Sequence, residues 1–257
     1  MGWIEGIHGM LIDIDGTLLD GAEAIPGARE ALARLEAAGI AVRITTNTTR
    51  RPRSAVAAAL ASAGIPVDPE RILSPSTLAQ RWILASGRTR TAFLLPDETK
   101  ADFVGVEENE ETPDWVVVGD AGDGFTFDRM NRAFHWLRHG AGLLALQKNR
   151  FWHAGARGLL LDAGPFVVAL EYASGTHAEV LGKPAPAFFQ LALTEIDLEA
   201  SRVLVVGDDI EADGAGGAAA GCRTALVRTG KYTHESRERS SFWPDLVIDS
   251  IADLRPT

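Results

Sequence analysis

The chain has 257 residues, of which 46% are hydrophobic and 23% are charged, and its formal net charge is −10. This balance is typical of a globular protein with a substantial core and excludes a disordered or fibrous chain. No Lys/Arg-rich run offsets the negative charge, so we expect neither nucleic acid nor a membrane surface as a partner.

The sequence further predicts a cytoplasmic protein. Cys222 is the only cysteine, which excludes an intramolecular disulfide, and its surroundings favour a buried side chain over a reactive thiol. Acidic Glu5 and Asp13 interrupt the N-terminal segment, so we expect no secretory signal. No apolar run approaches the ~20 residues of a membrane span.

Strand and helix patterns alternate from the N-terminus, as in α/β folds with a mainly parallel sheet. A strand over residues 10–14 precedes a helix that opens at Pro26 and closes at Gly39, with apolar residues at helical spacing. A second strand over residues 40–45 leads to a helix that begins near Pro52. These two repeats resemble one half of a doubly wound sheet.

The alternation returns near the C-terminus, where "RVLVVGDD", "TALVRTG" and "DLVIDS" predict strands. Between the two halves lies a block of roughly a hundred residues, which is too long for a loop. It predicts strands in "TAFLLP", "DWVVVGD" and "GLLALQ" and helices over residues 127–139 and 164–174. We assign residues 1–77 and 181–257 to a core domain and residues 78–180 to an inserted domain.

Polar residues follow the predicted strands of the core or lie in a Gly/Pro-flanked loop. They are Asp13, Asp15, Thr46, Asn47, Lys183, Asp208, Asp209 and Asp213. Ligands of parallel sheets bind outside the carboxyl ends of the strands, so these residues should converge on one crevice.

Such a set of side chains suits phosphoryl transfer through an aspartyl-phosphate. One carboxylate attacks phosphorus, and a second carboxylic acid protonates the leaving group and then activates water. Acidic groups hold a hard ion such as Mg²⁺, while a hydroxyl, an amide and a lysine bind the phosphoryl oxygens. The close pair Asp13 and Asp15 is tolerated because the metal and the lysine supply positive charge.

The motifs "DIDGTLLDG", "TTNTT", "GKP" and "GDDIEAD", in that order, resemble those of the haloacid dehalogenase (HAD) superfamily of phosphohydrolases. "VVVGD" with "FTFDRMNRAF", and "GLLLDAGPFVVALEYASG" before "GKP", resemble the cap of its class II, NagD-like branch. The resemblance covers essentially the whole chain. It implies an α/β fold in which a Rossmann-like core carries an inserted α/β cap of the C2 type.

The resemblance also implies roles for the core residues. Asp13 is then the nucleophile and Asp15 the general acid and base. Thr46 binds phosphate through its hydroxyl and Asn47 through its main chain, and Lys183 links the phosphate to the nucleophile.

For the metal, the resemblance implies Mg²⁺ held by Asp208, the Asp13 carboxylate and the Asp15 main-chain carbonyl. Asp209 and Asp213 then act on the metal through water or through its ligands, and which of them lies closer stays open.

Substrate choice in this branch is assigned to cap loops, and the candidates here are Asn149, Arg150 and His153. The physiological substrate stays open. The resemblance is also compatible with a homodimer formed through the cap.

Two features of the insert compete with these assignments. "VVVGDAGDG" imitates the strand, glycine and acid spacing of "VVGDDIEADG", but we expect Asp120 and Asp123 to begin a helix of the insert. His135 and His139 lie four residues apart on a predicted helix without a third ligand, so we expect a solvated face.

The sequence therefore predicts a Mg²⁺-dependent phosphatase acting on a small phosphorylated molecule, with a phosphoester, phosphoamide or pyrophosphate bond. A phosphotransferase that uses the same intermediate stays open. A receiver-like phosphoacceptor without turnover fits less well, because receivers are about half as long and carry no insert before the lysine.

Overall fold

The computed structural model of the chain describes residues 5–153 and 157–255, with His153 described by its backbone alone. None of the helices in these ranges has the length and apolar character needed to cross a bilayer. The strands are Gly9–Asp13 (β1), Leu19–Asp20 (β2), Glu23–Ala24 (β3), Ala41–Thr45 (β4), Ile72–Leu73 (β5), Arg90–Leu94 (β6), Glu107–Glu108 (β7), Trp115–Val118 (β8), Gly142–Ala145 (β9), Phe151–His153 (β10), Leu159–Leu161 (β11), Ala178–Val180 (β12), Val203–Gly207 (β13), Arg223–Val227 (β14) and Leu246–Ile248 (β15). The α-helices are Ala28–Ala37 (α1), Arg53–Ser62 (α2), Pro75–Ser86 (α3), Phe127–Arg138 (α4), Ala163–Ser174 (α5), Pro186–Ile196 (α6), Gly216–Ala219 (α7) and His234–Arg239 (α8).

The chain forms two compact units. The core unit comprises residues 1–46, 53–73 and 183–257, and the insert unit comprises residues 47–52 and 74–182. The long segment of the insert unit begins at residue 74, four residues before the predicted boundary. The predicted boundary at residue 78 lies inside α3. Helix α3 begins at Pro75, which is a favourable first helical residue, because Ser74 and Thr77 form a capping box around it. The assignment of the insert unit as a cap stays a prediction.

The core unit contains a six-stranded parallel sheet in the order β15-β14-β13-β1-β4-β5. Its central strands are short apolar runs that are buried throughout, because both faces of a parallel sheet are covered. Ile12 of β1 lies opposite Ile44 of β4 and Val206 of β13, and these side chains belong to one core cluster with the apolar face of α1. The predicted α/β class with a parallel sheet is confirmed.

The insert unit has its own five-stranded parallel sheet in the order β12-β9-β8-β6-β7, with a separate antiparallel hairpin of β10 and β11. A second core cluster lies between this sheet and helices α4 and α5. The insert therefore has the separate hydrophobic core that defines an independent domain.

Candidate active site

The carboxyl ends of neighbouring core strands carry the polar residues predicted from the sequence. Asp13 is the last residue of β1, Thr46 follows β4, and Asp208 follows β13. Because β4, β1 and β13 are adjacent and parallel, these residues share one edge of the sheet.

Lys183 is the buried cation of this edge, with a side chain that is only 2% exposed. Its Nζ donates to Asp13 Oδ1 and to Asp213 Oδ1, each at 2.6 Å, and lies 3.4 Å from Thr45 Oγ1. Burial by itself lowers the pKa of Lys183, but the two carboxylates outweigh burial and raise that pKa above its ordinary value. The lysine therefore stays charged between two acids.

Asp213 lies in one buried group with Asp13 and Asp208, whereas the sequence left open whether Asp209 or Asp213 lies closer to the metal. It belongs to a π-helical turn, Ile210–Ala215, and its Oδ2 accepts from the Asp209 amide at 3.2 Å. The absence of a side chain at Gly207 leaves room for the Asp213 carboxylate, because a Cβ at residue 207 would overlap that carboxylate. The direct ion pair with Lys183 could not be read from the sequence spacing.

Asp208 is almost completely buried and is held by the segment that follows β14. Its Oδ2 accepts from the Lys231 amide at 2.8 Å, and a Cβ on Gly230 would overlap the carboxylate. Asp209 is engaged differently, since its Oδ1 caps the π-helical turn by accepting from the amides of Glu211 and Ala212.

Three of the buried acids form one group. A carboxylate oxygen from each of Asp13, Asp208 and Asp213 lies within 4.8 Å of the others. Burial raises the pKa of each of the three to about 6, against an ordinary value of 3.8. Like charges held this close call for a cation, and a set of carboxylate oxygens suits a hard divalent metal.

No other cluster of metal-binding side chains was found among the described residues. The side chain of Asp15 is exposed and does not join the buried group, so its predicted contribution through the main-chain carbonyl stays a prediction.

The remaining predicted residues lie at the end of β4 or in the insert unit. Thr46 is buried, and its amide donates to the carbonyl of Leu73 at 3.1 Å. Asn47 belongs to the insert unit. Asn149 and Arg150 are exposed ahead of β10, and the side chain of His153 lies outside the described residues.

The competing motif of the insert has a local structural use. Asp120 Oδ1 accepts from the Gly122 amide at 3.0 Å, and Oδ2 lies 3.5 Å from Arg50 Nη1. The sequence predicts that Asp120 and Asp123 begin a helix of the insert, and this prediction is wrong for the α-helix of this segment. That helix begins at Phe127, because the side chain of Thr126 accepts from the Arg129 amide as its N-cap. His135 is exposed on that helix, α4, and His139 is exposed directly after it as its C-cap.

Residues that sequence reasoning missed come mainly from the segment after β14. Thr229 Oγ1 donates to the Gly16 carbonyl at 2.6 Å, and Lys231 Nζ lies 3.3 Å from Asp209 Oδ2. The signal was present in "LVRTGK", where a hydroxyl and a lysine follow a buried strand next to the strand of Asp208.

Comparisons with known proteins identify the family and the fold. A family model described as haloacid dehalogenase-like hydrolase matches residues 10–106, and a second, described as HAD-hydrolase-like, matches residues 180–254. The phospholysine phosphohistidine inorganic pyrophosphate phosphatase of Bos taurus is 36% identical over 97% of this chain and 93% of its own length.

Solved structures show the same relationship. The 4-nitrophenylphosphatase of Thermotoga maritima superposes with a TM-score of 0.91 at 27% identity, covering 98% of this chain and 97% of its own. A glycerol phosphate phosphatase of Mycobacterium tuberculosis, solved in complex with calcium, gives a TM-score of 0.88 at 26% identity. The overlap there covers 100% of this chain and 77% of the other.

Proposed function

Because the chain belongs to the haloacid dehalogenase-like hydrolases, we propose that it is a Mg²⁺-dependent phosphatase that acts through an aspartyl-phosphate on Asp13. Its substrate is a small phosphorylated molecule. The observation that carries the proposal is the buried group of Asp13, Asp208 and Asp213 around the ammonium of Lys183.

Asp13 is the nucleophile in this proposal. Its carboxylate oxygen forms a bond to phosphorus while the bond from phosphorus to the leaving group breaks. Lys183, 2.6 Å from Asp13 Oδ1, orients that carboxylate and offsets negative charge as the phosphoryl group approaches.

Asp15 supplies the protons. It donates one to the leaving oxygen or nitrogen, and it then takes one from the water that attacks the phosphorus of the aspartyl-phosphate. The bond between phosphorus and Asp13 breaks in that second step, which releases inorganic phosphate and restores the carboxylate. An exposed side chain is free to reach both the leaving group and the water.

The oxygen donors of the buried acid group fit Mg²⁺, for which Asp13 and Asp208 are the proposed carboxylate ligands and Asp15 supplies its main-chain carbonyl. When bound, the ion neutralises charge on the phosphoryl oxygens. Asp213 accepts a second hydrogen bond from Lys183 and helps to fix its position in this scheme. The calcium named with the Mycobacterium tuberculosis structure supports a divalent cation.

Turnover of 4-nitrophenyl phosphate tests the proposal. The purified chain should release many equivalents of 4-nitrophenol in Mg²⁺ and lose activity in a chelator. Asp13→Asn should reduce kcat to less than about one-hundredth, because an amide of equal volume is not a nucleophile. A variant that keeps more than about a tenth of kcat would remove Asp13 from this role.

The same assay separates the alternatives. A receiver-like phosphoacceptor releases one equivalent and stops. A phosphotransferase yields less inorganic phosphate than 4-nitrophenol when an alcohol is present as acceptor, whereas a hydrolase yields equal amounts. A panel of phosphomonoesters, phosphoamides and pyrophosphate then defines the substrate, and the names of the relatives place each of these classes on the panel.

A further inference from the structure

The segment that follows β14 is anchored by its backbone and presents one side chain outward. The amide of Lys231 donates to Asp208 Oδ2 at 2.8 Å, and Thr229 fixes the same segment through the Gly16 carbonyl at 2.6 Å. Neither contact uses the ammonium group of Lys231. The side chain is therefore held at its root beside the buried acids, and its tip takes no part in this anchoring.

The tip differs from the buried lysine of the site in accessibility. Lys231 is 70% exposed in its side chain, whereas Lys183 is 2% exposed and donates to two carboxylates. The Nζ of Lys231 meets Asp209 Oδ2 at 3.3 Å in an ion pair open to solvent. Such exposed pairs contribute little to stability, so an anion that arrives at the site can readily replace Asp209.

The excess of carboxylates in the site indicates a role for the ammonium of Lys231. Five carboxylates belong to the candidate site, namely Asp13, Asp15, Asp208, Asp209 and Asp213. Asp15 and Asp209 are the more accessible of these carboxylates, and they would repel the second group of a substrate with two anionic groups. The ammonium of Lys231 carries a positive charge at neutral pH, as lysine side chains ordinarily do.

We propose that Lys231 is a specificity-determining residue that binds a second anionic group carried by the leaving part of the substrate, as in a pyrophosphate. The inference rests on the proposed phosphatase function. An ammonium on a flexible four-carbon stem, rooted at Asp208, is able to follow an anionic group that differs in position from one substrate to another. A phosphate monoester with a neutral leaving group has no partner for it.

Steady-state kinetics with two substrates tests this role. The variants are Lys231→Met, which keeps the length of the side chain without its charge, Lys231→Arg, and the control Lys100→Met. Lys100 also forms ion pairs, with Asp97 and Glu108, but in the insert unit. Pyrophosphate is measured by competition against 4-nitrophenyl phosphate at fixed free Mg²⁺, which gives its KM if it is hydrolysed and its Ki if it is only bound.

We expect Lys231→Met to weaken the binding of pyrophosphate about three- to tenfold. The change in KM for 4-nitrophenyl phosphate should be smaller, and kcat for that substrate should stay within about twofold of the wild type. Lys231→Arg should restore most of the lost affinity, and Lys100→Met should match the wild type. The difference between substrates should shrink at high ionic strength, because the contact is exposed and therefore screened.

Three outcomes would overturn the inference. If Lys231→Met weakens the binding of both substrates equally and raises the Mg²⁺ requirement, the side chain supports the metal site through Asp209. If the binding of neither substrate is weakened, or if pyrophosphate does not compete in the wild type, Lys231 binds no second anion. An inactive wild type refutes the phosphatase proposal itself, which is a separate result seen before any variant is compared.

Discussion

Asp15 illustrates how two neighbouring acids of one motif take different environments. Asp13 is buried against Lys183, while the side chain of Asp15, two residues later, is exposed. We expect Asp15→Asn to lower kcat about 10²–10⁴-fold, the usual range for general acid and base catalysis. The loss should be smaller for 4-nitrophenyl phosphate than for an alkyl phosphate, because nitrophenolate leaves without a proton. Equal losses on the two substrates would contradict the acid role.

Asp208 illustrates the energetic consequence of a buried acid site. Burial raises its pKa from 3.8 to about 6 in the folded chain, so the folded state holds this proton more tightly than the unfolded chain. That contribution to stability is complete below pH 3.8 and is lost as the pH rises through about 6. At neutral pH without metal, the buried charge therefore opposes folding.

We expect Asp208→Asn to stabilise the metal-free protein at pH 7.5 by about 1–3 kcal/mol, which raises Tm by several degrees. The gain should vanish near pH 4, where the wild-type acid is protonated. Mg²⁺ should raise the Tm of the wild type at pH 7.5 and leave that of Asp208→Asn nearly unchanged. Thermal unfolding with and without Mg²⁺ measures all three effects.

Asp120→Asn is the matched control, because Asp120 is also a buried acid after a parallel strand. Its carboxylate caps a turn of the insert unit and lies outside the buried acid group. The control should keep the full Mg²⁺ response. An Asp208→Asn variant that is less stable than the wild type at pH 7.5, or that still responds to Mg²⁺, would refute this account.

At the scale of elements, the sequence predicted helices and strands best where the spacing of apolar residues and the residues that end an element indicate the same boundaries. Pro26 and Gly39 bracket α1, Ala28–Ala37, and the run of valines in "RVLVVGDD" is the buried strand β13. Both elements carry a regular apolar pattern and a clear stop, which is the information that a local reading uses.

Other elements depend on contacts that local patterns do not encode. The hairpin of β10 and β11 is short, and "LLL" in β11 shows no alternation although its side chains point to opposite faces. The π-helical turn, Ile210–Ala215, forms in a Gly-rich stretch of low helix propensity, and the Asp209 cap and the Lys183–Asp213 ion pair hold it. Helix propensity alone could therefore not predict the position of this turn.

Gly207 tests the importance of this turn. We expect Gly207→Ala to reduce kcat/KM on 4-nitrophenyl phosphate by at least about tenfold, because the added Cβ overlaps the Asp213 carboxylate and displaces it from Lys183. Gly124→Ala is the control, since its Cβ would meet mainly the flexible end of the Arg129 side chain. Kinetics on folded protein, checked by circular dichroism, decide the matter. Wild-type activity in Gly207→Ala would show that Asp213 can be displaced without effect.

At the scale of the whole molecule, the chain passes between its two units at four places. Two of these follow Thr46 and precede Lys183, and both residues are predicted to bind phosphate. Sequence order alone indicated such an insertion, because motif residues flank the insert on both sides. The finer division, in which residues 47–52 pack with the insert unit, depends on tertiary contacts and could not be foreseen from local patterns.

The last prediction concerns the role of the insert unit in substrate choice. Asn149 and Arg150 are exposed polar residues in the loop that leads from β9, a strand of the parallel sheet of this unit, to β10. Loops that follow the carboxyl ends of parallel strands are where such sheets bind ligands. The Asn149 backbone is fixed, because its amide donates to Gln147 Oε1 at 2.5 Å and its carbonyl accepts from Gly164 at 3.0 Å. The exposed side chain of Arg150 is then available to bind a ligand from a rigid support, while the Asn149 side chain is hydrogen-bonded to the carboxylate of Asp162.

We expect the triple change of Asn149, Arg150 and His153 to Ala to lower kcat/KM at least about tenfold for the physiological substrate found on the panel. The loss on 4-nitrophenyl phosphate should be about threefold or less, because that molecule offers these side chains little to bind while the chemistry belongs to the core unit. Equal losses on both substrates would indicate that the loop supports the fold. No loss on either would place substrate choice elsewhere in the insert unit, because selection through this loop requires the two substrates to diverge.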